Sequence, residues 1–165
     1  MAFAGEELGH QGSRFYCRKP LFPLKKTVLN INFELLGRPE GLGKMRFYIT
    51  GISHSNLADK VRAYNRTHTW ALVDTLEIAE HLFFASDNRS FATIDRKDDW
   101  FYGIPAHTFA IETLGDHVHK PWDEPEFIDH ENLTAFIHYM AGFTIHAAKD
   151  AAPVQWTGSP FRPLQ

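Results

Sequence analysis

The stretch VLNINFELL, Val28–Leu36, is the clearest strand in the sequence and decides its fold class. Its apolar side chains fall on every second residue, at Leu29, Ile31, Phe33 and Leu35, and polar ones fill most of the positions between. This period of two predicts a strand with one apolar face. Gly37, Pro39, Gly41 and Gly43 then predict a turn into a second strand at Met45–Thr50.

Short apolar runs and helical stretches alternate along the rest of the chain. We expect a strand end at Met1–Ala4, a buried strand at Ile104–Glu112 and a loop over Thr113–Glu126, and no element is assigned over Thr67–Ala85. The predicted helices run from Glu6 to about Arg18, from a Ser55 cap to about Asn65, over Asp87–Asp95, and from an Asp129 cap to about Ala148. This alternation is typical of an α/β layer fold. The tail Ala151–Gln165 contains three prolines and is expected outside the core.

Composition excludes several classes of function. The 165 residues are 44% hydrophobic, which is enough for one domain with a core. The 17 basic and 20 acidic residues leave a net charge of −3, so there is no basic stripe to bind nucleic acid. No apolar run approaches the roughly 18 residues of a membrane span, and the first residues do not form a secretory signal. Cys17 is the single cysteine, which excludes a disulfide framework and a zinc knuckle built on thiolates.

Acidic and imidazole side chains lie next to three predicted strand ends. Glu6 and Glu7 follow the first strand, Glu34 lies near the end of the second, and His117 and His119 follow Ile104–Glu112. Ligands of open α/β sheets bind beyond the carboxyl ends of the strands. Carboxylates and an imidazole that converge there suit a divalent metal, with zinc favoured. An additional carboxylate could act as general base on a metal-bound water.

Simpler interpretations of the same residues stay open. Two glutamates at the start of a helix also complement the helix dipole without any active site. A loop histidine such as His119 is commonly a solvated side chain. Glu34 is more informative, because a charged residue in an apolar strand is rarely buried unless it is paired or binds a metal.

Five motifs, taken in order over residues 1–148, resemble those of the zinc aminopeptidases of metallopeptidase family twenty-eight, a family that includes bacterial leucyl aminopeptidases and relatives of glutaminyl cyclase. They are Phe3–Gly9 followed by Gly12 and Ser13, Asn30–Arg38, Ser86–Asn88 with Phe91, Gly103–Ala106, and His119–Asp123. The first resembles the Gly-Glu-Glu segment of the family, the third its Ser-Asp-His segment, and the last its His-Thr-Pro-x-Asp pattern.

The resemblance implies a role for six residues. Glu6 would be the general base, Glu7 and His119 would bind one zinc ion, and Glu34 would bind the other. Asp87 and Asp123 would orient ligands or substrate. The implied reaction is hydrolysis of the N-terminal bond of a peptide substrate by water that a zinc pair activates. Relatives are commonly secreted or periplasmic, although these residues do not report a compartment.

The chain also departs from the family pattern. Glu34 stands where Asp is usual, and Asn88 replaces a histidine. The family's upstream His-x-Asp motif and bridging aspartate have no counterpart, so we expect the C-terminal part of a catalytic domain that binds one zinc or none. Its activity would be impaired. An incomplete sheet would also expose an edge or an apolar patch, through which the chain could self-associate.

The fold implied is a three-layer α/β/α sandwich with a mostly parallel sheet, incomplete on its N-terminal side. Residues 1–148 would form the partial catalytic domain and residues 149–165 a tail. Two alternatives to an aminopeptidase remain, namely a glutaminyl cyclase-like acyltransferase and a non-catalytic interaction module of the same fold. An aminopeptidase would release N-terminal residues, and an acyltransferase would cyclise N-terminal glutamine. An interaction module would bind its partner without zinc.

Overall fold

A four-stranded sheet forms the centre of the protein in a computed structural model that describes residues 1–94 and 103–157. The strands are β1 (Asn30–Phe33), β2 (Arg46–Ile49), β3 (Ala71–Leu72) and β4 (Ala106–Ala110), in the spatial order β1-β4-β2-β3. β1 pairs with β4 and β2 with β3 in parallel, whereas β2 and β4 are antiparallel. Two of the three pairings are therefore parallel, and the prediction of a mostly parallel sheet is confirmed.

Helices cover both faces of this sheet. The described residues contain the α-helices α1 (Gln11–Arg18), α2 (Leu57–Asn65), α3 (Glu77–Leu82), α4 (Asn88–Ala92) and α5 (His130–Lys149), and short 3₁₀ turns at Leu24–Lys26, Ile52–His54 and Pro125–Phe127. Phe47 and Phe109 pack with α2 and α5 on one face. Tyr48 and Ala110 pack against α3 on the other face. Successive residues of each strand thus point into two different cores, as expected for a sheet between two helical layers.

The larger core is rich in aromatic rings around Phe47, which is fully buried. Its ring centroid lies 5.8 Å from that of Phe109, 5.8 Å from Phe136 and 5.5 Å from Tyr139. A smaller cluster forms around Phe91 and Ala106, where Phe3 and Tyr16 contact the Phe91 ring. No helix within the described ranges is long and apolar enough to cross a membrane.

Several predicted elements are confirmed and some are shorter. β2 lies within Met45–Thr50, and α5 begins after Asp129, whose side chain accepts a hydrogen bond from the backbone of Asn132 at 3.0 Å. β1 stops at Phe33, because Leu35 has a φ of 51°, which ends the extended conformation. The unassigned region Thr67–Ala85 contains β3 and α3. Asp95, the expected end of α4, lies outside the described residues.

The N-terminal prediction is wrong in two respects. Met1–Ala4 is not a strand, because the Ala4 carbonyl accepts a hydrogen bond from Gly12 at 2.8 Å and holds this segment against α1. The helix begins at Gln11 and not at Glu6, because Gly9 and His10 have positive φ values of 88° and 59° that no α-helix can accommodate.

Part of the C-terminal tail packs on the core. Val154 is buried within the larger core, and the Trp156 indole donates to the Gly103 carbonyl at 3.0 Å. The backbone of Asn56 also donates to the Gln155 carbonyl. Residues 154–157 therefore lie against the domain, contrary to the expectation from the composition of the tail, whereas residues 151–153 are exposed.

One edge of the described sheet is formed by β1. Phe33 on this strand is 44% exposed, and Val28, two residues before the strand begins, is 61% exposed. Unpaired edges with apolar neighbours favour association with another strand. Self-association of the chain stays a prediction.

Replacement of Phe47 by alanine tests the importance of the aromatic core. We expect the free energy of unfolding to fall by about 3–5 kcal/mol, because the change leaves a cavity among several rings. Urea unfolding measures it, with Phe22→Ala as a matched control at a ring that is 71% exposed. A loss within about 0.5 kcal/mol for both variants would contradict this account of the core.

Candidate active site

Glu6 and Glu7 lie in a tight turn before α1. The turn is closed by hydrogen bonds from the backbone of Gln11 and Leu8 to the Gly5 carbonyl, at 3.0 and 3.3 Å, and Gly5 has a φ of 70°. The first turn of α1 contains no acidic residue. The interpretation of the two glutamates as partners of the helix dipole is therefore wrong, because both precede the helix.

Glu7 meets His119 across 112 positions of sequence. The Glu7 Oε1 and the His119 Nε2 are 2.7 Å apart, and both side chains are largely exposed. The fold thus joins the two residues that the family resemblance assigns to one zinc ion.

Glu34 lies one residue beyond β1 at the carboxyl end of the strand. The hydroxyl of Ser86, a fully buried residue, donates to its Oε2 at 2.5 Å. The Asn32 amide donates to the same Ser86 oxygen at 2.8 Å and to the Thr108 hydroxyl at 3.0 Å. One oxygen of Glu34 is therefore held by a polar network rooted in β1 and β4.

Burial and three neighbouring carboxylates raise the pKa of Glu34 to about 7. Desolvation is the largest cause, the Ser86 hydrogen bond opposes it, and the charges of Glu6, Asp87 and Glu7 raise the pKa further. The same environment raises the pKa of Glu6, through its burial and the charges of Glu7 and Asp87, although His10 lies 3.3 Å away and lowers it. We call Glu6, Glu7, Glu34 and Asp87 the acidic cluster.

Asp87 is the most buried carboxylate of the acidic cluster, at 8% exposure. Its Oδ1 atom is buried and has no hydrogen-bond partner among the described residues. A buried carboxylate oxygen without a partner is costly, since it has lost its water. The cluster therefore lacks a positive or donor group at this point.

Asp123 is not part of the acidic cluster. Its Oδ1 lies 2.6 Å from the Arg38 guanidinium, whose plane in turn lies over the ring of Phe127 at 4.8 Å. Arg38 is buried and its backbone N–H donates to Glu112. The sequence predicted a role for Asp123 in orienting ligands or substrate, and the contact seen is with Arg38.

Sequence reasoning missed three residues of this region. The sequence alone does not identify His10, beside Glu6, or the buried Glu112, which forms a hydrogen bond with His117, as site residues. The available signal for Glu112 was a glutamate at the end of the predicted apolar strand Ile104–Glu112, just as Glu34 is a charged residue within an apolar strand. Ser86 appeared in a motif, but its contact with Glu34 depends on the tertiary structure.

The chemistry of these side chains fits a divalent cation. Carboxylate oxygens and an imidazole nitrogen are zinc ligands, and a cation would relieve the mutual repulsion that raises the Glu34 pKa and supply a partner near the Asp87 oxygen. Within the described residues, no three His, Cys, Asp or Glu side chains are gathered into one ligand group. Of the residues expected to bind zinc, Glu7 and His119 are in contact, which is one ligand fewer than the three protein ligands usual for catalytic zinc.

The fold and this acidic cluster define an α/β domain with a candidate hydrolytic site at the carboxyl end of its parallel strands. The model of peptidase family M28 matches residues 1–144, and the chain belongs to this family. No curated protein matches the sequence.

Two solved aminopeptidases share the fold. The aminopeptidase from Aneurinibacillus sp. strain AM-1 superposes with a TM-score of 0.60 at 21% identity, over 99% of this chain and 35% of that one. The LapA aminopeptidase of Legionella pneumophila gives a TM-score of 0.64 at 16% identity, over 91% of this chain and 39% of that one. The chain thus spans little more than a third of either enzyme.

Replacement of Glu34 by glutamine tests the raised pKa that burial and the neighbouring carboxylates give Glu34 in metal-free protein. The folded-state pKa lies above the unfolded value, so the contribution of Glu34 to stability is complete below about pH 4.5 and is lost as pH rises through about 7. Glutamine removes this loss. We expect Glu34→Gln to be more stable than the parent at pH 8.5, by up to about 3 kcal/mol, and similar at pH 4.

Urea unfolding in the presence of a chelator at both pH values measures this difference. Glu124→Gln, at an exposed carboxylate, is the matched control and should show no pH-dependent gain. An equal effect of Glu34→Gln at pH 4 and pH 8.5 would contradict the raised pKa.

Proposed function

We propose that the chain provides part of a zinc-dependent aminopeptidase site, in which Glu6 is the general base, Glu7 and His119 hold one zinc ion, and Glu34 holds a second. The observation that carries the proposal is the contact of Glu7 with His119, beside Glu6 and the partly buried Glu34 that follows β1. Membership of a peptidase family supports the reaction class, and a peptide is the proposed substrate.

Glu6 is suited to move a proton in this reaction. Its raised pKa, caused by burial and by the charges of Glu7 and Asp87, makes it a stronger base than an ordinary glutamate. The carboxylate would take a proton from the attacking water as the water oxygen bonds to the scissile carbonyl carbon. It would then deliver that proton to the departing amine nitrogen. The chemistry that bound zinc supplies is Lewis-acid activation of the water and the carbonyl.

Ser86 and Asp87 would help to hold the reactants. Ser86 fixes one oxygen of Glu34 and leaves the other for a cation, and Asp87 contributes negative charge close to Glu6. The same negative charge would attract the protonated N-terminus of a peptide. With two ligands for one zinc and one for the other, we expect weaker metal binding and lower activity than in a site with complete ligand sets.

Glu6→Gln tests the general base. We expect peptide hydrolysis by the zinc-loaded chain to fall on the order of 10²–10⁴-fold, because glutamine cannot accept the proton of water. Zinc content should be unchanged. Release of N-terminal residues is measured together with zinc by atomic absorption, and cyclisation of an N-terminal glutamine peptide is assayed in parallel. The acid limb of the parent's pH profile should lie above the ordinary glutamate pKa of 4.5.

Two outcomes would refute this assignment. Equal hydrolysis by parent and variant would remove Glu6 from the reaction, and loss of zinc along with activity would make it a ligand. Glu126→Gln, an exposed carboxylate, is the matched control.

His119→Ala tests the metal site itself. We expect the zinc affinity to fall more than about 100-fold, beyond the loss typical of residues that only orient a ligand. Calorimetric titration of the apo-chain measures it. His138→Ala, at an exposed histidine of α5, should bind zinc like the parent. Unchanged affinity in His119→Ala would show that His119 is not a ligand.

A further inference from the structure

The loop that presents His119 has little apolar packing of its own. Residues 113–127 are all described, and His117 is the single buried side chain among them. Leu114, Trp122 and Phe127 are exposed. Hydrophobic burial therefore does not fix the loop, and its position depends on polar contacts.

Glu112 supplies the first of these contacts. It lies two residues beyond the end of β4 and is 5% exposed. One carboxylate oxygen forms a hydrogen bond with the ring of His117, and the other accepts the backbone N–H of Arg38 at 3.1 Å. Its carbonyl accepts from the Tyr48 hydroxyl at 3.0 Å. Glu112 thus joins the loop to the segments that follow β1 and β4.

Arg38 supplies a second contact on the other side of His119. Its guanidinium lies 2.6 Å from Asp123, four residues beyond His119, and rests on the ring of Phe127. The stretch 118–122 between the two attachments contains no buried residue.

The attachment at His117 is transmitted directly to His119 through the backbone. The Lys120 N–H donates to the His117 carbonyl at 3.0 Å and so closes a turn that contains His119. The Asp123 N–H donates to the Lys120 carbonyl at 3.1 Å, which links the second attachment to the same turn. His119 itself has a φ of 60°, a left-handed conformation that persists in a non-glycine residue only where surrounding structure holds it.

We propose that Glu112 is a positioning residue, which holds His119 at the metal site by binding His117 and fixing the turn between them. The Arg38–Asp123 pair acts as the second attachment of the same loop. This inference rests on the proposed function for the role of His119 as a ligand, but the contact of His119 with Glu7 that it explains exists without metal.

If Glu112 only stabilised the fold, its removal would leave the position of His119 unchanged in protein that still folds. Two measurements distinguish this structural role from a positioning role. The first is zinc affinity, determined by calorimetry for the full chain in a double-mutant cycle of Glu112→Ala and His119→Ala. We expect Glu112→Ala to weaken zinc binding 10- to 100-fold, as is usual for residues that orient a ligand. In the His119→Ala background it should have no further effect, because it acts through His119.

The second measurement needs no metal. In apo-protein, nuclear Overhauser effects between the ring protons of His119 and the side-chain protons of Glu7 report their contact. We expect these signals in the parent and their loss in Glu112→Ala. Asp116→Ala, which removes an exposed carboxylate of the same loop, is the matched control and should retain both the signals and the zinc affinity.

Two further variants keep the test valid if Glu112→Ala does not fold. Glu112→Gln can still accept the Arg38 N–H and donate to His117, so it should restore zinc affinity to within about threefold of the parent. Asp123→Asn removes the charge of the exposed second attachment and should weaken zinc binding less than Glu112→Ala does.

The outcomes separate the two proposals. If the parent binds no zinc, and the His119–Glu7 signals seen in the parent are absent from Glu112→Ala, the proposed metal site is wrong and the positioning role stands. If those signals persist in folded Glu112→Ala, or if the effects of Glu112→Ala and His119→Ala on zinc affinity are additive, the positioning role is overturned.

Discussion

The parallel pairing of β1 with β4 determines where the candidate site residues lie. Asn30 is in register with Ala106 and Phe33 with Phe109, so the two strands end at the same edge of the sheet. Glu34 leaves one strand there, and Glu112 and the loop that carries His119 leave the other. Because parallel strands bring their carboxyl ends together, residues about 80 positions apart share one site.

The cost of placing carboxylates close together is the second constraint on this site. The pKa values of Glu6 and Glu34 are raised by burial and by their acidic neighbours, and Asp87 contributes to both. In most surface regions such a group would be dispersed or neutralised by lysine or arginine. Here the acidic cluster lies beside a polar network of Ser86 and Asn32, and its raised pKa values make it a candidate functional site.

Prediction from sequence was most accurate for elements whose pattern depends on local interactions alone. The apolar period of α5 and its Asp129 cap are local properties, and both are confirmed. It failed where backbone conformation overrides pattern, as at Leu35 and His10, whose positive φ values shorten β1 and delay α1. The tail near Val154 was misjudged because composition does not reveal that a single apolar side chain finds a place in a distant core.

The sequence by itself determined the α/β class, the resemblance to a peptidase family and the identity of the acidic residues near strand ends, because these depend on local period and residue type. Only the tertiary structure decided which of them meet. Glu7 contacts His119, Glu34 is held by Ser86, and Asp123 pairs with Arg38. Each of these contacts spans more than 50 residues, and no local pattern encodes a distance between segments that the packing of the sheet and its helices brings together.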